Sequence, residues 1–374
     1  MKSFRKKLLW EYLVWMGLSG TGLQAQQYIF TNNNDSSGSN SITSLSVNGK
    51  GAIKVIKTYP TGGKSAGSSY FALSPVTFAH TRLGDCVFVS NGGDSTIAAF
   101  QANLFNGTLA AVKGSPFADG VTTAQKFGIG LAVGANRLLF AGNTNTNSIS
   151  VMRVGSTCSL TLLQKIAVTG SPAGMKVTPD GKFLIVAYIG QVDSFAIDYT
   201  TGKLTELGPF NTRGSAAGVE ISCDGSTAFF GDAANNTQVE VFNIISTGGL
   251  NETDNFTNKN GQSSNNLLLS PDGTHLYVSN TSSSQITTLS VGAKGALTYD
   301  SSVKLNHTGV FALGLAMGSN GLDLFVSEQN DPEAIGVLAV SGNTVKEVPG
   351  SPFSVMRNGQ DPAGLTAVPP RGCH

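Results

Sequence analysis

The sequence predicts an all-β protein built from short antiparallel strands, and three features of the chain support this prediction. First, short apolar runs alternate with stretches rich in Gly, Pro, Asn, Asp and Ser, which is typical of strands joined by turns. Second, one strand–turn–strand pattern recurs along the chain. Third, only 13% of the 374 residues are charged while 46 are Gly, a composition that favours many turns over amphipathic helices.

The clearest copy of the pattern is LLLSPDGTHLYVSN, residues 267–280. Its continuous apolar start indicates a strand covered on both faces. In the turn at 270–273 the proline presets φ for the first central position, and the glycine can adopt the left-handed conformation. The second strand ends at Asn280, a third is predicted over 286–291, and a fourth near 297–305. The segment therefore predicts four consecutive antiparallel strands.

The end of the second strand identifies further copies of this unit. It recurs as YIFTN, VFVSN, LFAGN, LIVAY, AFFGD, LYVSN and LFVSE, whose last residues are Asn32, Asn91, Asn143, Tyr188, Asp232, Asn280 and Glu328. The spacing is about 49 residues on average, in the range of a four-stranded propeller blade. Seven copies predict a seven-bladed β-propeller.

The two ends of the repeat array complement each other. The segment DPAGLTAVPP, 361–370, has the character of an innermost strand but no second strand follows it. The segment QYIFTN, 27–32, has the character of a second strand that no innermost strand precedes. We therefore predict one domain, 26–374, closed by pairing of the N- and C-terminal strands, which removes exposed sheet edges.

Residues 1–25 are predicted to be a signal peptide. MKSFRKK is a basic start, LLWEYLVWMGLSG is a short apolar core, and LQA precedes Gln26 as a cleavage site. Glu11 within the apolar core leaves an amphipathic helix capping the propeller as the alternative. The core is too short for a stable membrane span. The sequence thus predicts a secreted protein, periplasmic or extracellular.

Four cysteines, Cys86, Cys158, Cys223 and Cys373, are compatible with an oxidising compartment. They lack the spacing of a zinc site, so no metal site of that kind is predicted. The blade pattern places Cys86 and Cys373 near turns of neighbouring blades, where a disulfide would fasten the closure; small buried free thiols are the alternative. The net charge of +1 provides no basic surface for nucleic acid.

The candidate functional residues come from the geometry of a propeller, in which the ends of all second strands surround one mouth of the central channel. Predicted ligand-binding residues there are Asn32, Asn91, Asn143, Asn280 and Asp361, and predicted catalytic residues are Arg213, Asp232, His307 and Glu328. Arginine, histidine and carboxylates around a wet funnel are able to polarise a carbonyl and activate water. The alternatives are a calcium site, which such oxygens suit, and simple capping of turns by strand-end side chains.

The segment SPDGTHLYVSN resembles the signature of YVTN-type β-propellers, and the spacing is similar to that of seven-bladed, 6-phosphogluconolactonase-like lactonase propellers. The linkers GSPFADG and GSPFSVMRNGQDPAG resemble those of many bacterial members. Such members tend to carry a PRH-like stretch, an Asn-Glu-Leu-like strand end and a PHPH-like entry. This chain has TRGSAAG at 212–218, Asp232 instead of the glutamate, and only His80 at the entry. The resemblance implies the fold, with a depleted catalytic signature.

Two functions follow as hypotheses. The first is a monomeric binding module, without a cofactor, that holds a small-molecule, glycan or protein ligand at the channel mouth. The second is a lactone hydrolase, a carboxylic ester hydrolase, that uses the four catalytic candidates. An open funnel with converging arginine, histidine and carboxylate favours the enzyme, whereas a closed or Asn/Ser-lined mouth favours binding.

Overall fold

The computed structural model describes residues 26–35, 37–67, 72–134, 137–188, 190–233, 238–259, 261–307, 310–329, 334–354 and 360–369. The predicted signal peptide, 1–25, and Cys373 lie outside the described residues. In the described ranges the regular structure consists of strands and of 3₁₀-helices at Thr144–Thr146, Thr281–Ser283 and Ala293–Gly295. The prediction of an all-β protein is confirmed.

The strands follow one another in chain order, blade by blade. Blade 1 contains β1 (Gln27–Asn32), β2 (Ser39–Val47) and β3 (Ile53–Lys64). Blade 2 contains β4 (Val76–Thr81), β5 (Gly84–Asn91), β6 (Thr96–Asn103), β7 (Thr108–Ala111) and the short β8 (Phe117–Ala118). Blade 3 contains β9 (Ile129–Gly134), β10 (Leu138–Asn143), β11 (Ser148–Val154) and β12 (Leu160–Ala167). Blade 4 contains β13 (Pro172–Val177), β14 (Phe183–Tyr188), β15 (Gln191–Ile197) and β16 (Leu204–Asn211).

The remaining blades have the same plan. Blade 5 contains β17 (Ala216–Ile221), β18 (Thr227–Asp232), β19 (Gln238–Ile244) and β20 (Leu250–Thr257). Blade 6 contains β21 (Ser264–Leu269), β22 (His275–Asn280), β23 (Gln285–Val291) and β24 (Leu297–Lys304). Blade 7 contains β25 (Phe311–Met317), β26 (Asp323–Gln329), β27 (Ala334–Ser341) and β28 (Thr344–Glu347). The last strand, β29 (Gly364–Val368), returns to blade 1.

Closure of the ring joins the two ends of the chain. β29 pairs antiparallel with β1, so that Val368 lies opposite Tyr28 and Gly364 lies opposite Asn32. Blade 1 therefore has the order β29–β1–β2–β3, equivalent to the four consecutive strands of the other blades. The seven-bladed β-propeller closed by its terminal strands is confirmed.

A carboxylate-centred turn separates the first and second strands of blade 6. Oδ1 of Asp272 accepts hydrogen bonds from the Ser270 hydroxyl at 2.6 Å and from the Thr274 N–H at 3.1 Å. Gly273 has φ +69°, a left-handed conformation that glycine adopts without strain. The hydrogen bond from Ser270, together with those from Thr274, lowers the pKa of Asp272 to about 2. The turn thus places the ends of β21 and β22 side by side.

The core lies between the blades rather than inside a single layer. Each pair of neighbouring blades encloses one large cluster of buried apolar side chains. The inner strands face a neighbour on both sides, and this is why a run such as 184–187 in β14 is fully buried. Packing between blades fixes the position of every strand end, and therefore of the candidate site.

A disulfide joins blades 2 and 3 through Cys86 and Cys158, with their Cα atoms 5.5 Å apart. The predicted Cys86–Cys373 disulfide is therefore wrong, and the alternative of a free thiol at Cys86 is also wrong. Cys86 lies on the face of β5 that packs against blade 3, in the same cluster as Cys158. Cys158 is in the turn between β11 and β12. Cys223 is also disulfide-bonded.

Candidate functional site at the ends of the second strands

The seven predicted residues do lie at or next to the ends of the second strands, but their side chains are buried. Each is at most 1% exposed: Asn32, Asn91, Asn143, Tyr188, Asp232, Asn280 and Glu328. The positions therefore lie within the contacts between blades and linkers, not on an open funnel wall. We call this set the strand-end ring.

Most members of the strand-end ring hold a neighbouring segment by hydrogen bonds. Nδ2 of Asn280 donates to Oγ1 of Thr287 at 2.8 Å, and its Oδ1 accepts from Nδ2 of Asn258 at 2.8 Å. Asn258 belongs to the linker that enters blade 6, so Asn280 fastens this linker to its own blade. Nδ2 of Asn143 donates to Oγ of Ser150 at 3.1 Å, an equivalent bond within blade 3.

Asn91 and Asn32 make comparable contacts at the junction of blades 1 and 2. Oδ1 of Asn91 accepts from Nδ2 of Asn40 at 2.9 Å, and its Nδ2 donates to Oγ1 of Thr96 at 3.0 Å. Oδ1 of Asn32 accepts the N–H of Asn34 at 3.2 Å, a local turn-capping bond. Nδ2 of Asn32 donates to the carbonyl of Ser90 in blade 2 at 3.3 Å, so these asparagines combine local turn capping with bonds between the two blades.

Linker glycines allow this close approach. A Cβ at Gly214 would overlap the carboxylate of Asp232, and a Cβ at Gly261 would overlap the side chain of Asn280. Only glycine lets a linker backbone pass directly over a buried polar side chain at these places.

Blade 5 contains a buried carboxylate that the sequence analysis did not identify, Glu240 on β19. It is 1% exposed. The Arg213 N–H donates to its Oε1 at 3.0 Å and to its Oε2 at 3.1 Å, and the Gly214 N–H donates to its Oε1 at 3.2 Å. Burial raises the pKa of Glu240, and the two backbone donors act in the opposite direction. Asp232 accepts the next N–H of the linker, that of Ser215, at 3.0 Å. The two carboxylates bind three consecutive backbone amides and thereby fix the linker.

The Arg213 side chain does not point toward the channel axis. Its Nε donates to Oε1 of Glu252 on the outermost strand β20 at 2.5 Å. This hydrogen bond to Glu252, reinforced by its charge, raises the pKa of the guanidinium. The arginine is 61% exposed at the rim of the blade. The Arg213 backbone N–H therefore binds Glu240 near the strand-end ring, while its guanidinium charge is balanced by Glu252 at the periphery of the blade.

Blade 7 departs from the pattern, because Glu328 contacts a histidine instead of backbone donors. Nδ1 of His307, in the linker that enters blade 7, lies 3.3 Å from Oε2 of Glu328. Glu328 is fully buried, whereas His307 is 26% exposed. Burial, followed by the charge of Glu347, raises the pKa of Glu328 to about 8. Neither Glu328 carboxylate oxygen accepts a hydrogen bond from any described residue.

Glu347 anchors the segment that carries this histidine. Its Oε2 accepts the N–H of Asn306 at 2.6 Å, and its Oε1 accepts the hydroxyl of Ser351 at 2.8 Å. The residue before His307 is therefore held to β28. The result is a positioned imidazole with a buried carboxyl group behind it and one edge toward solvent, an arrangement suited to exchanging a proton or anchoring a ligand.

The four catalytic candidates do not come together. Only His307 and Glu328 are in contact; Arg213 pairs with Glu252, and Asp232 accepts from Ser215. The predicted ligand residue Asp361 lies in the linker that leads to β29, where its N–H donates to the carbonyl of Asn33 at 2.7 Å. The four candidates therefore lie at two junctions, with Arg213 and Asp232 at the entry to blade 5 and His307 and Glu328 at the entry to blade 7.

The channel on this side is crossed by the linker between blades 1 and 2. The N–H of Leu73 donates to the carbonyl of Ala173 at 2.8 Å, and the Leu73 side chain, 5% exposed, packs with Ala173 and Ala217 of blades 4 and 5. Leu73 thus fills the channel at the level of the strand-end ring. In the sequence this crossing is marked by no more than an apolar pair, 72–73, followed by Ser74 and Pro75.

The described residues also bear on metal sites and membrane spans. No three His, Cys, Asp or Glu side chains among them are grouped so that they could hold a metal ion. Among these residues there is also no helix with the length and apolar character needed to cross a membrane.

The closed ring of four-stranded blades makes this protein a seven-bladed β-propeller. The family profile described as "Lactonase, 7-bladed beta-propeller" matches residues 117–220. Together with the fold, this match confirms the resemblance to lactonase-type propellers. No curated protein sequence matches the chain.

Solved structures with the same fold include proteins of related description. A putative 6-phosphogluconolactonase from Bacteroides fragilis is 19% identical, with a TM-score of 0.74 over 92% of this chain and 98% of that one. Another from Bacteroides uniformis is 17% identical, with a TM-score of 0.74 over 92% and 100%. A periplasmic gluconolactonase from Pseudomonas aeruginosa is 20% identical, with a TM-score of 0.68 over 87% and 97%. At these identities the likeness concerns the fold.

Proposed function

We propose that this protein is a ligand-binding β-propeller that recognises a small polar molecule at blade 7, with His307 as the anchor. The site lies on the loop face, by which we mean the face that carries the strand-end ring and the linkers between blades. The observation that supports this best is that the catalytic candidates lie at two separate junctions, Arg213 and Asp232 at blade 5 and His307 and Glu328 at blade 7. His307 is partly exposed, and its Nδ1 faces Oε2 of the buried Glu328 at 3.3 Å. A positioned imidazole binds hydroxyl, carbonyl or carboxylate groups through its outward nitrogen.

A second candidate function, lactone hydrolysis, is favoured by the same pair. A buried carboxyl group with a raised pKa beside a histidine is the kind of pair that positions a general base. In this reaction His307 would remove a proton from water as the water attacks the lactone carbonyl, and would return the proton to the ring oxygen as the acyl C–O bond breaks. The sequence analysis grouped Arg213 with this pair as residues able to polarise the carbonyl, but the Arg213 side chain is bonded to Glu252 on the rim of blade 5. Binding without turnover is therefore the main proposal.

The proposal includes export to an oxidising compartment. A disulfide such as Cys86–Cys158 forms and persists in such a compartment, whereas disulfides are rare in the cytosol. Intact-mass measurement of the protein from its native host tests this part. A chain that begins near Gln26 and carries oxidised cysteines supports export, and a chain that retains Met1 in the soluble cytoplasm contradicts it.

The functional experiment separates the two candidates. A thermal-shift screen of sugar lactones, sugar acids and oligosaccharides identifies a ligand, and calorimetry then compares wild type with His307→Ala. Arg213→Ala is the matched control, because Arg213 is also a linker residue with a side-chain nitrogen donor but pairs with Glu252. We expect the histidine variant to bind about tenfold more weakly, as for the loss of one hydrogen bond, and the arginine variant to bind normally.

Turnover is measured in parallel with glucono-δ-lactone. We expect wild type to release acid no faster than buffer. Hydrolysis by wild type that is lost in His307→Ala but kept in Arg213→Ala would establish the second function. Absence of both binding and turnover across the panel would overturn both.

A further inference from the structure

A cavity lies in the central channel, on the far side of Leu73 and the strand-end ring from the linkers that enter the blades. Its volume is about 360 Å³, and residues of six inner strands line it. On β13 and β25 these residues are the last three of the strand, Met175–Val177 and Leu315–Met317. The cavity therefore faces the turns between first and second strands, away from the loop face.

Close backbone packing limits the cavity toward the loop face. Gly130, Gly174 and Gly218 lie where neighbouring inner strands approach each other most closely, and a Cβ at Gly174 or Gly218 would overlap a carbonyl oxygen of the next blade. The linker at Leu73 crosses at the same level and is hydrogen-bonded to Ala173. A ligand on the channel axis would thus enter from the turn face and stop below Leu73.

The walls combine apolar side chains with one charged pair. Phe78, Met175, Leu315 and Met317 supply apolar surface. Nζ of Lys176 lies 2.8 Å from Oε1 and 2.9 Å from Oε2 of Glu220 on the neighbouring inner strand. Lys176 is 44% exposed and lines the cavity, whereas Glu220 is 6% exposed. Thr77 and Thr366 also line the cavity, together with the free edges of the inner strands.

The charged pair determines which ligands fit. Oε1 of Glu220 also accepts the N–H of Ile221 at 3.0 Å, so this carboxylate is well supplied with donors. An ammonium group has three hydrogens, and two bonds to Glu220 leave one for a ligand acceptor. Because the pair is neutral as a whole, an anionic ligand would gain attraction from Lys176 but meet repulsion from Glu220. A neutral acceptor group such as a carbonyl avoids this repulsion.

We propose that this cavity is a second binding site, for a small neutral molecule with an apolar body and a carbonyl or hydroxyl acceptor directed at Lys176. The volume is at the lower end for small-molecule pockets, and the mixture of apolar walls with a few convergent polar groups is typical of them. The site is independent of the proposed function at His307, since it lies on the other side of Leu73.

The test uses the dye Prodan, a neutral naphthalene ketone whose emission shifts to the blue in apolar surroundings. We expect saturable binding to wild type with blue-shifted emission. Thr77→Trp fills the cavity, and Lys176→Met combined with Glu220→Gln removes the ammonium group without leaving an unpaired carboxylate. We expect each variant to bind about tenfold more weakly, since apolar contact or one hydrogen bond is lost. His307→Ala, on the loop face, is the control and should bind Prodan as wild type does.

Failure of wild type to bind Prodan overturns the proposal, as does normal binding by a folded Thr77→Trp variant. If that variant does not fold, the double variant decides alone, because Lys176 is partly exposed and its substitution leaves the apolar core intact. Loss of Prodan binding in His307→Ala would place the dye on the loop face and would also overturn the proposal. A negative result here leaves the calorimetric test at His307 unaffected.

Discussion

A Cβ at Gly336 would overlap Oε1 of Glu328, so the buried carboxyl group of blade 7 occupies space that a third-strand side chain fills in other blades. Pairing shows the equivalence: Gly336 lies opposite Val326 in blade 7 just as Glu240 lies opposite Phe230 in blade 5. In blade 5 two carboxylates, Asp232 and Glu240, bind the linker backbone. In blade 7 the equivalent positions are Glu328, whose side chain is one methylene longer than that of Asp232, and Gly336. This exchange leaves His307 as the partner of Glu328.

The first prediction concerns pH. Burial raises the pKa of Glu328 and of Asp193 to about 8 and that of Asp119 to about 7. A carboxyl group whose pKa is raised on folding binds its proton more tightly in the native state, so its stabilising effect is present at low pH and is lost as pH rises toward the raised pKa. We therefore expect the melting temperature to fall from pH 5 to pH 8.

Glu328→Gln provides the control for this prediction, because a neutral amide cannot ionise. We expect the variant to show a shallower loss of melting temperature with pH than wild type. Asp198→Asn is the matched surface control, since its pKa is lowered by the hydrogen bonds from Thr201 and Thr200 and it does not contribute to the loss. Equal pH profiles for wild type and Glu328→Gln would show that Glu328 stays ionised in the native state.

The second prediction separates the two kinds of loop-face polar residue. Asn280→Ala should lower the free energy of unfolding by about 1–3 kcal/mol, because buried Asn258 and Thr287 lose a partner. Arg213→Ala should leave stability nearly unchanged, because exposed ion pairs contribute little. Denaturant titration of both variants measures this. The assignment of Asn280 to the linker contacts would be wrong if the two variants unfolded at the same denaturant concentration as wild type.

The third prediction concerns the disulfide between blades 2 and 3. Replacing both Cys86 and Cys158 with Ala should lower the free energy of unfolding by about 2–4 kcal/mol, because the bond closes a long loop, with a sequence separation of 72, in the unfolded chain. Unfolding is followed under non-reducing conditions, so that the bond at Cys223 stays intact in both proteins. A double variant as stable as wild type would contradict this account.

The fourth prediction concerns ring closure. A chain that ends at Gln360 lacks β29 and leaves one edge of β1 without its partner strand. Since this opens the ring and exposes apolar residues such as Tyr28 and Phe30, we expect loss of cooperative unfolding and aggregation. A shorter truncation at Val368, which keeps β29, is the control and should fold. Cooperative unfolding of the 360-residue chain at the wild-type temperature would show that the ring closes without β29.

Local patterns in the sequence were sufficient to predict the fold. Turn residues such as Asp272 and Gly273 and the apolar strands beside them interact within a few positions of the chain, so each blade is visible in its own segment. The recurrence of second-strand ends fixed their number and their closure through β29 and β1. Glu328 was identified from its repeat position at a strand end, and His307 from its place in a linker between blades.

Tertiary structure alone decided how the strand ends are used. The repeat places Asn280 at a strand end, but its burial depends on Asn258 arriving from the preceding blade. Likewise, β5 contains Cys86, but only the packing of the blades determines that its side chain faces Cys158.

The direction of the Arg213 side chain and the path of Leu73 across the channel depend in the same way on contacts between blades. Such contacts join residues far apart in sequence and carry no periodic signal of their own. The sequence by itself therefore determined the ring of seven blades, and the packing of those blades decided which polar groups are buried, which remain accessible and where the channel is closed.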